Sequence, residues 1–158
     1  MGRMTTLHLT SSSPGDTADL ARAIAPRLNR GDCILLSGHI GGGKTHFARS
    51  LIQSQLEQPE DVPSPTFTLV QTYPTPRFEI WHCDLYRLSH PDELFELGLT
   101  DAFEYALCLI EWPDRLGDLA PPTALSLEFQ ASDTEGQRQI TARYSDPRWD
   151  FLRGIAHV

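Results

Sequence analysis

The sequence contains very little lysine: of its 13 basic residues, only Lys44 is a lysine and the others are arginines. It also lacks any apolar run near the roughly 20 residues that a membrane-spanning helix needs. Its N-terminus lacks the apolar segment of a signal peptide, so we expect a cytoplasmic protein with no membrane partner. The three cysteines have no metal-ligand spacing. Because they are odd in number and lie in apolar segments, we predict that Cys33, Cys83 and Cys108 are buried free thiols.

Length and charge limit the class of protein further. A chain of 158 residues, 40% hydrophobic and 22% charged, is predicted to form a single globular domain over residues 1–158. The net charge is −8. Because affinity for nucleic acid comes largely from neutralising phosphates, an acidic chain is a poor nucleic-acid binder by itself. Any contact with RNA is therefore expected to run through a partner.

The single lysine lies in a glycine-rich motif. Residues Gly38–Thr45 (GHIGGGKT) match G-x-x-x-x-G-K-[ST] at each fixed position. The apolar segment Cys33–Ser37 before the motif predicts a buried parallel strand, and residues 45–56 after it have the apolar spacing of a helix. A strand, a glycine-rich loop and a helix form the context in which backbone N–H groups and a helix N-terminus bind phosphate. The alternative is a glycine-rich turn with an incidental lysine.

The chemistry of the motif assigns a role to its residues. We expect Lys44 to neutralise the β- and γ-phosphates of a nucleotide and the Thr45 hydroxyl to bind Mg²⁺. We also expect His46, which follows directly, to contact the nucleotide. The backbone cradle is expected from the glycines of the motif, which are Gly38, Gly41, Gly42 and Gly43.

Two acidic residues end strand-like segments downstream of the motif. Glu111 ends an apolar run, the Walker-B pattern, and a carboxylate at the C-terminal end of a parallel strand faces the crevice where ligands bind. We predict that Glu111 binds Mg²⁺, directly or through water, and that it acts with Lys44 as a catalytic residue. Alternation places His82 and Asp84 on one strand face, and Asp84 is predicted to orient water or to support the metal. A surface acid is the alternative for each carboxylate.

Three further residues have two open interpretations each. The Thr66 hydroxyl either senses the γ-phosphate or Mg²⁺, as switch segments do, or simply begins a strand. His82 is expected to be a partly buried structural histidine, with support of Asp84 as the alternative. Trp112 either packs over the site or fills the core.

The remaining pattern predicts alternating strands and helices. The predicted elements are a strand at 5–10, a helix that begins at 11–14 and ends near 29–31, strands at 66–73 and 77–85 in a hairpin, short helices at 91–97 and 101–105, a strand at 106–110, a terminal strand pair at 124–129 and 139–144, and a last helix from 146.

Four segments occur together in a specific order: Gly38–Thr45, 64–70 (SPTFTLV), 82–88 (HCDLYRL) and 110–112 (IEW). Together they resemble the bacterial tRNA threonylcarbamoyladenosine biosynthesis ATPases, the TsaE family, over roughly residues 31–113. The resemblance implies an α/β, three-layer P-loop NTPase fold in which antiparallel strands extend a central parallel sheet. The sequence differs from the usual family pattern at two places. It has Ile40-Gly41-Gly42 where the family usually has Leu-Gly-Ala, and it has His46 where the family often has threonine.

The resemblance also implies a function. It implies an ATPase with ATP as substrate and Mg²⁺ as cofactor, slow alone and stimulated by partner subunits. These subunits install threonylcarbamoyl on the adenosine next to the anticodon of tRNA, so the chain would reach tRNA only through the complex. Thr45 and Glu111 would hold Mg²⁺, Asp84 would assist hydrolysis, and Thr66 would lie in a switch-like segment.

Other functions are compatible with a phosphate-binding loop. The main alternative is a small-molecule P-loop kinase, although few residues remain here for a lid. A regulatory GTPase needs an Asn-Lys-x-Asp motif, which is excluded because the single lysine is already in the loop. A non-enzymatic scaffold that binds ATP without turnover is the third alternative.

Overall fold

The computed structural model describes residues 3–38, 43–65, 68–135 and 137–156. In these ranges the chain forms seven strands: β1 (Thr5–Ser11), β2 (Cys33–Gly38), β3 (Val70–Pro74), β4 (Glu79–Asp84), β5 (Leu107–Glu111), β6 (Leu125–Ala131) and β7 (Arg138–Tyr144). The α-helices of the same ranges are α1 (Pro14–Ile24), α2 (Lys44–Gln55), α3 (Asp92–Leu97), α4 (Leu99–Tyr105) and α5 (Leu152–Ala156). Short 3₁₀ helices occur at Ala25–Arg27, Pro113–Leu119 and Pro147–Phe151.

The seven strands of the described ranges form one sheet in the order β1-β7-β6-β2-β5-β4-β3. The four central strands, β6, β2, β5 and β4, run parallel to one another. At one edge β3 pairs antiparallel with β4, and at the other β7 pairs antiparallel with both β6 and β1. The predicted fold class, a parallel centre extended by antiparallel strands, is confirmed.

Helix α1 begins where its local chemistry predicts. Ser13 is the N-cap, its hydroxyl accepts the Asp16 N–H at 3.2 Å, and Pro14 occupies the first turn. The predicted end near 29–31 is too late, because the α-helix ends at Ile24 and a 3₁₀ turn follows. Pro26 in that turn has no backbone N–H, so it cannot continue the α-helical ladder.

Helices cover the two faces of the sheet. On one face, α1 and α2 pack in a cluster that includes Leu107 and Leu109 of β5. On the other face, α3 and α4 pack in a cluster that includes Cys108 and Ile110 of the same strand. The predicted three-layer arrangement is thus confirmed. Because successive side chains of a strand point to opposite faces, Glu111 follows Leu107 and Leu109 onto the α2 side.

The C-terminal part packs back on the rest of the described chain through Trp149. Trp149 is fully buried, and its indole N–H donates to the Thr123 carbonyl at 2.8 Å. Arg148 forms an ion pair of 2.9 Å with Asp32, which precedes β2. The 3₁₀ helix at Pro147–Phe151 therefore ties the end of the chain to the start of the central strand.

The cysteines are free and buried, as predicted. Cys33, Cys83 and Cys108 lie on adjacent strands in the cluster under α3 and α4. Burial raises the pKa of each thiol, that of Cys108 to about 12. Across the four described ranges, no helix has both the length and the apolar character needed to cross a bilayer.

Candidate nucleotide-binding site

The two ends of the glycine-rich loop have the backbone geometry that the motif predicts. Strand β2 ends at Gly38, and α2 begins directly after Gly43. Gly38 has a φ of 129° and Gly43 a φ of 105°, which residues with a Cβ rarely adopt. A Cβ on Gly38 would lie 2.1 Å from the carbonyl oxygen of Phe129 on β6. Glycine is therefore needed at 38 both for the turn and for the close approach of two strands.

The first turn of α2 presents backbone donors at the end of this loop. The first helical hydrogen bond runs from the Phe47 N–H to the Gly43 carbonyl at 2.9 Å. The amides of Lys44, Thr45 and His46 precede that ladder, as the first amides of any helix do. Because the helix dipole adds partial positive charge at the same place, this turn favours a bound anion.

Lys44 is buried beside the loop. Its Nζ donates to the Gly38 carbonyl at 2.8 Å and lies 3.9 Å from the centroid of the Trp112 ring. Burial lowers the pKa of the ammonium, and three neighbouring carboxylates oppose that shift. These carboxylates belong to Glu111, Asp84 and Asp114. Lys44 is thus enclosed by an aromatic face, a carbonyl and acidic groups.

Glu111 connects three elements of the site. Its side chain is 2% exposed, its Oε1 accepts the Thr45 hydroxyl at 2.7 Å, and its Oε2 lies 2.7 Å from Nε2 of His82. These contacts hold the carboxylate of β5 between the start of α2 and the end of β4. Because Thr45 donates its proton to Glu111, the lone pairs of the hydroxyl oxygen can still serve a cation.

Asp84 lies next to Glu111 at the same edge of the sheet. The two residues are register partners on the parallel strands β4 and β5, so both acids reach the carboxyl edge, where α/β proteins bind ligands. Oδ1 of Asp84 accepts the Tyr86 N–H at 3.0 Å, and the Asp84 N–H donates to the Leu69 carbonyl at 2.9 Å. The segment on each side of Asp84 is thereby fixed to it.

The Trp112 ring covers the lysine, and Tyr86 packs against that ring. Trp112, directly after Glu111, has the left-handed backbone conformation φ 60°, ψ 55°, which is uncommon for a bulky residue. The backbone N–H of Trp112 donates to the Leu36 carbonyl at 3.3 Å. The centroid of the Trp112 ring lies 4.9 Å from the centroid of the Tyr86 ring. Both interpretations left open for Trp112 hold in part: its ring lies over Lys44, and the partly buried side chain also packs against the cluster under α3 and α4.

The donor set at the Thr45–Glu111 contact suits Mg²⁺. Mg²⁺ prefers oxygen ligands and is usually bound through one or two carboxylates together with substrate phosphates. The hydroxyl oxygen of Thr45 and the carboxylate of Glu111 supply such oxygens beside the anion-binding turn of α2. Within the described ranges, no three His, Cys, Asp or Glu side chains are grouped to hold a metal ion by themselves.

The structure brings Lys44, Thr45, Asp84 and Glu111 together, and their chemical roles stay predictions. His82 differs from expectation. It is fully buried rather than partly buried, and it contacts Glu111 rather than Asp84. The reason is the register of β4 on β5, which places His82 diagonally behind Glu111.

Other predicted site residues are less defined. The His46 ring contacts the start of α1, with Nε2 2.9 Å from the Pro14 carbonyl, while its amide stays in the first turn of α2. Contact of His46 with nucleotide stays a prediction. The predicted cradle residues Gly41 and Gly42 and the predicted switch residue Thr66 lie outside the described residues.

Sequence reasoning missed Asp114 and Tyr86 as neighbours of the site. Asp114 lies in the 3₁₀ helix after Trp112, and Tyr86 lies two residues after Asp84. Both residues follow a strand-ending acid closely in the sequence. Because residues that follow parallel strands gather at one edge of the sheet, this closeness could have predicted that they lie near the site.

Comparison with known proteins identifies the family of this chain. The family model for the threonylcarbamoyl adenosine biosynthesis protein TsaE matches residues 11–140. The tRNA threonylcarbamoyladenosine biosynthesis protein TsaE of Rickettsia bellii is 40% identical over 124 residues, which cover 78% of this chain and 86% of that protein. The Rickettsia prowazekii protein of the same name is 35% identical over 143 residues, 90% of this chain and 99% of that protein.

A solved structure supports the fold. The crystal structure of Bacillus subtilis YdiB superposes with a TM-score of 0.76 and covers 99% of this chain and 97% of that chain, at 22% identity. At that identity the likeness concerns the fold alone. The family match and the two relatives establish the assignment: this chain belongs to the TsaE family of threonylcarbamoyl adenosine biosynthesis proteins.

Proposed function

We propose that this protein is a Mg²⁺-dependent ATPase that supports partner subunits in installing threonylcarbamoyl on the adenosine next to the anticodon of tRNA. The observation that carries the ATPase assignment is the 2.7 Å bond from the Thr45 hydroxyl to Glu111. It joins the first turn of the phosphate-loop helix to the acid at the end of the neighbouring strand, the arrangement that P-loop NTPases use for Mg²⁺.

Each residue then has a physical task. The amides at the start of α2 and the ammonium of Lys44 bind the phosphate oxygens. Thr45 and Glu111 would hold the cation, which would supply positive charge to the β- and γ-phosphates. Asp84, beside Glu111 in register, orients the water that attacks the γ-phosphate.

The pathway and the partners follow from family membership and from charge. The relatives carry names that assign them to tRNA threonylcarbamoyladenosine biosynthesis. With a net charge of −8, this chain is poorly suited to bind tRNA by itself, so partner subunits are the expected contact with tRNA. ATP is preferred to GTP in this proposal because the guanine-reading Asn-Lys-x-Asp motif is absent from the sequence.

The decisive experiment is ATP turnover by the purified chain, with and without Mg²⁺ and with and without the other tRNA-modifying subunits of the same organism. We expect slow Mg²⁺-dependent hydrolysis that rises when the subunits are added. ATP-dependent phosphorylation of a metabolite would instead indicate a small-molecule kinase. Binding without turnover under every condition would indicate a nucleotide-dependent scaffold.

Two variants test the site itself. Lys44→Ala should lower ATP affinity or turnover by roughly 100-fold or more, because it removes a preorganised positive charge from the γ-phosphate. Glu111→Gln should weaken Mg²⁺-dependent turnover by about 10–100-fold and nucleotide binding much less. Glu104→Gln makes the same chemical change on the exposed side of α4 and serves as the control. Full activity of Lys44→Ala would refute the assignment, and equal losses for Glu111→Gln would indicate a structural role.

A further inference from the structure

We propose that His82 is a positioning residue that orients Glu111 for the cation, an inference that rests on the proposed function. His82 does not face the nucleotide site directly. It lies on β4 two residues before Asp84, and its route to the cation runs through the carboxylate of Glu111.

The hydrogen-bond chemistry fixes the direction of this contact. An ionised carboxylate only accepts hydrogen bonds, so Nε2 of His82 carries the proton and donates it to Oε2 of Glu111 at 2.7 Å. His82 is fully buried and Glu111 is 2% exposed, so solvent does not compete for the bond. With Oε1 already bonded to Thr45 at 2.7 Å, the carboxylate has one rotational setting that keeps both partners.

The other ring nitrogen of His82 makes no competing hydrogen bond with the described residues. Nδ1 is buried and has no hydrogen-bond partner among the residues that the structure describes. Among those residues, the bond to Glu111 is therefore the hydrogen bond that sets the orientation of the ring.

Loss of that bond should therefore act on the cation rather than on the phosphate cradle. The parts that bind phosphate, Lys44 and the first turn of α2, make no hydrogen bond to His82 among the contacts of the described residues. Without the His82 donor, the Glu111 carboxylate keeps the hydrogen bond from Thr45 but loses the bond that fixes its other oxygen, so it gains freedom to rotate. We expect nucleotide binding without Mg²⁺ to persist and the Mg²⁺-dependent gain in affinity to fall.

A matched pair of variants separates positioning from packing. The amide nitrogen of Gln can reach the position of histidine Nε2, whereas that of Asn reaches only the position of Nδ1. His82→Asn should raise the Mg²⁺ concentration for half-maximal binding of a fluorescent non-hydrolysable ATP analogue by about 10-fold or more. His82→Gln should stay within about 3-fold of the unmodified protein, since it restores the donor. His8→Asn, on the exposed edge strand β1, is the control.

The same analogue in excess EDTA provides the second readout. Its affinity should be unchanged in both His82 variants. Equal Mg²⁺ dependence of the Asn and Gln variants, or parallel loss of binding in EDTA, would overturn the positioning role. If the unmodified protein shows no Mg²⁺-dependent binding at all, the proposed function fails instead, so the two failures are distinguishable.

A measurement on the unmodified protein covers the case in which the variants do not fold. In ¹⁵N NMR spectra, His82 should be the Nε2–H tautomer, and its ring proton should shift when Mg²⁺ is added to the analogue-bound protein. Through-bond experiments on the uniformly labelled protein can assign the ring signals. An Nδ1–H tautomer, or a ring proton that does not respond to Mg²⁺, would refute the inference.

Discussion

Substitution of Gly38 by alanine tests the backbone geometry on which the site is built. Gly38 is the last residue of β2 and the register partner of Phe129 on β6. An added Cβ would lie 2.1 Å from the Phe129 carbonyl oxygen, 3.1 Å from its carbonyl carbon and 3.2 Å from its nitrogen. All three atoms belong to the backbone, so no side chain can rotate away to relieve the contact.

Two costs add in this variant. Overpacking of this kind costs about 1–3 kcal/mol when the backbone must shift, and a non-glycine residue at the φ of 129° that Gly38 adopts costs about 1–3 kcal/mol more. We therefore expect the free energy of unfolding to fall by about 2–6 kcal/mol. For a domain of this size each 1 kcal/mol lowers Tm by about 2–4 °C, so the Tm should fall by roughly 5–20 °C.

Thermal unfolding followed by circular dichroism measures this loss, and two other glycines separate its causes. Gly117 has a φ of 55°, but no atom of the described residues, apart from Gly117 and its two chain neighbours, lies within 4 Å of the position that a Cβ would take. Gly117→Ala therefore isolates the backbone strain at about 1–3 kcal/mol. Gly154 lies in α5 with open space around it, so Gly154→Ala should be neutral or stabilise by up to about 1 kcal/mol. A Gly38→Ala variant no less stable than Gly117→Ala would refute the argument from close strand approach.

Two further predictions concern groups away from the nucleotide site. Burial raises the pKa of Cys108 from 9.0 to about 12, which lowers its thiolate fraction at pH 8 by about 1,000-fold. The native cysteines should therefore be inert to Ellman's reagent, and all should react in guanidinium chloride; rapid native labelling would contradict their burial. Arg77 donates to the Ala25 and Leu28 carbonyls at 2.9 and 3.0 Å, so Arg77→Lys should lower the free energy of unfolding by about 1–2 kcal/mol. Denaturant unfolding measures this loss, and an unchanged midpoint would show that these bonds contribute no net stability.

Features that depend on short stretches of chain could be predicted from the sequence. The hairpin of β3 and β4, the terminal pair of β6 and β7, and the strand before the glycine-rich motif follow from apolar patterning and turn residues. The start of α1 follows from Ser13 and Pro14. The grouping of Lys44, Thr45 and Glu111 could also be expected, because the motif and a strand-ending acid meet at one edge of a parallel sheet.

Features that depend on register between strands could not be predicted in this way. Strand β4 is buried over nearly its whole length. The alternation of side chains along a strand shows that His82 and Asp84 share a face, but it does not show which residue of the neighbouring strand each one contacts. The pairing of Asp84 with Glu111 decides that His82 contacts Glu111. The neighbouring sequence also does not predict the left-handed backbone conformation of Trp112, because a bulky residue rarely adopts it. In this conformation the Trp112 ring lies over Lys44.

The charge around Lys44 supports the proposal that the orientation of Glu111 matters to this site. Three carboxylates lie close enough to influence the pKa of its ammonium, those of Glu111, Asp84 and Asp114. A triphosphate would bring further negative charge to the same place, and one ammonium with the amides of α2 must oppose all of it. In the proposed site, a divalent cation held by Glu111 and Thr45 would oppose this repulsion, since a bound cation is often the largest local charge in such a site. Under this proposal the cation would strengthen nucleotide binding, and a Glu111 carboxylate that is free to rotate would reduce that gain.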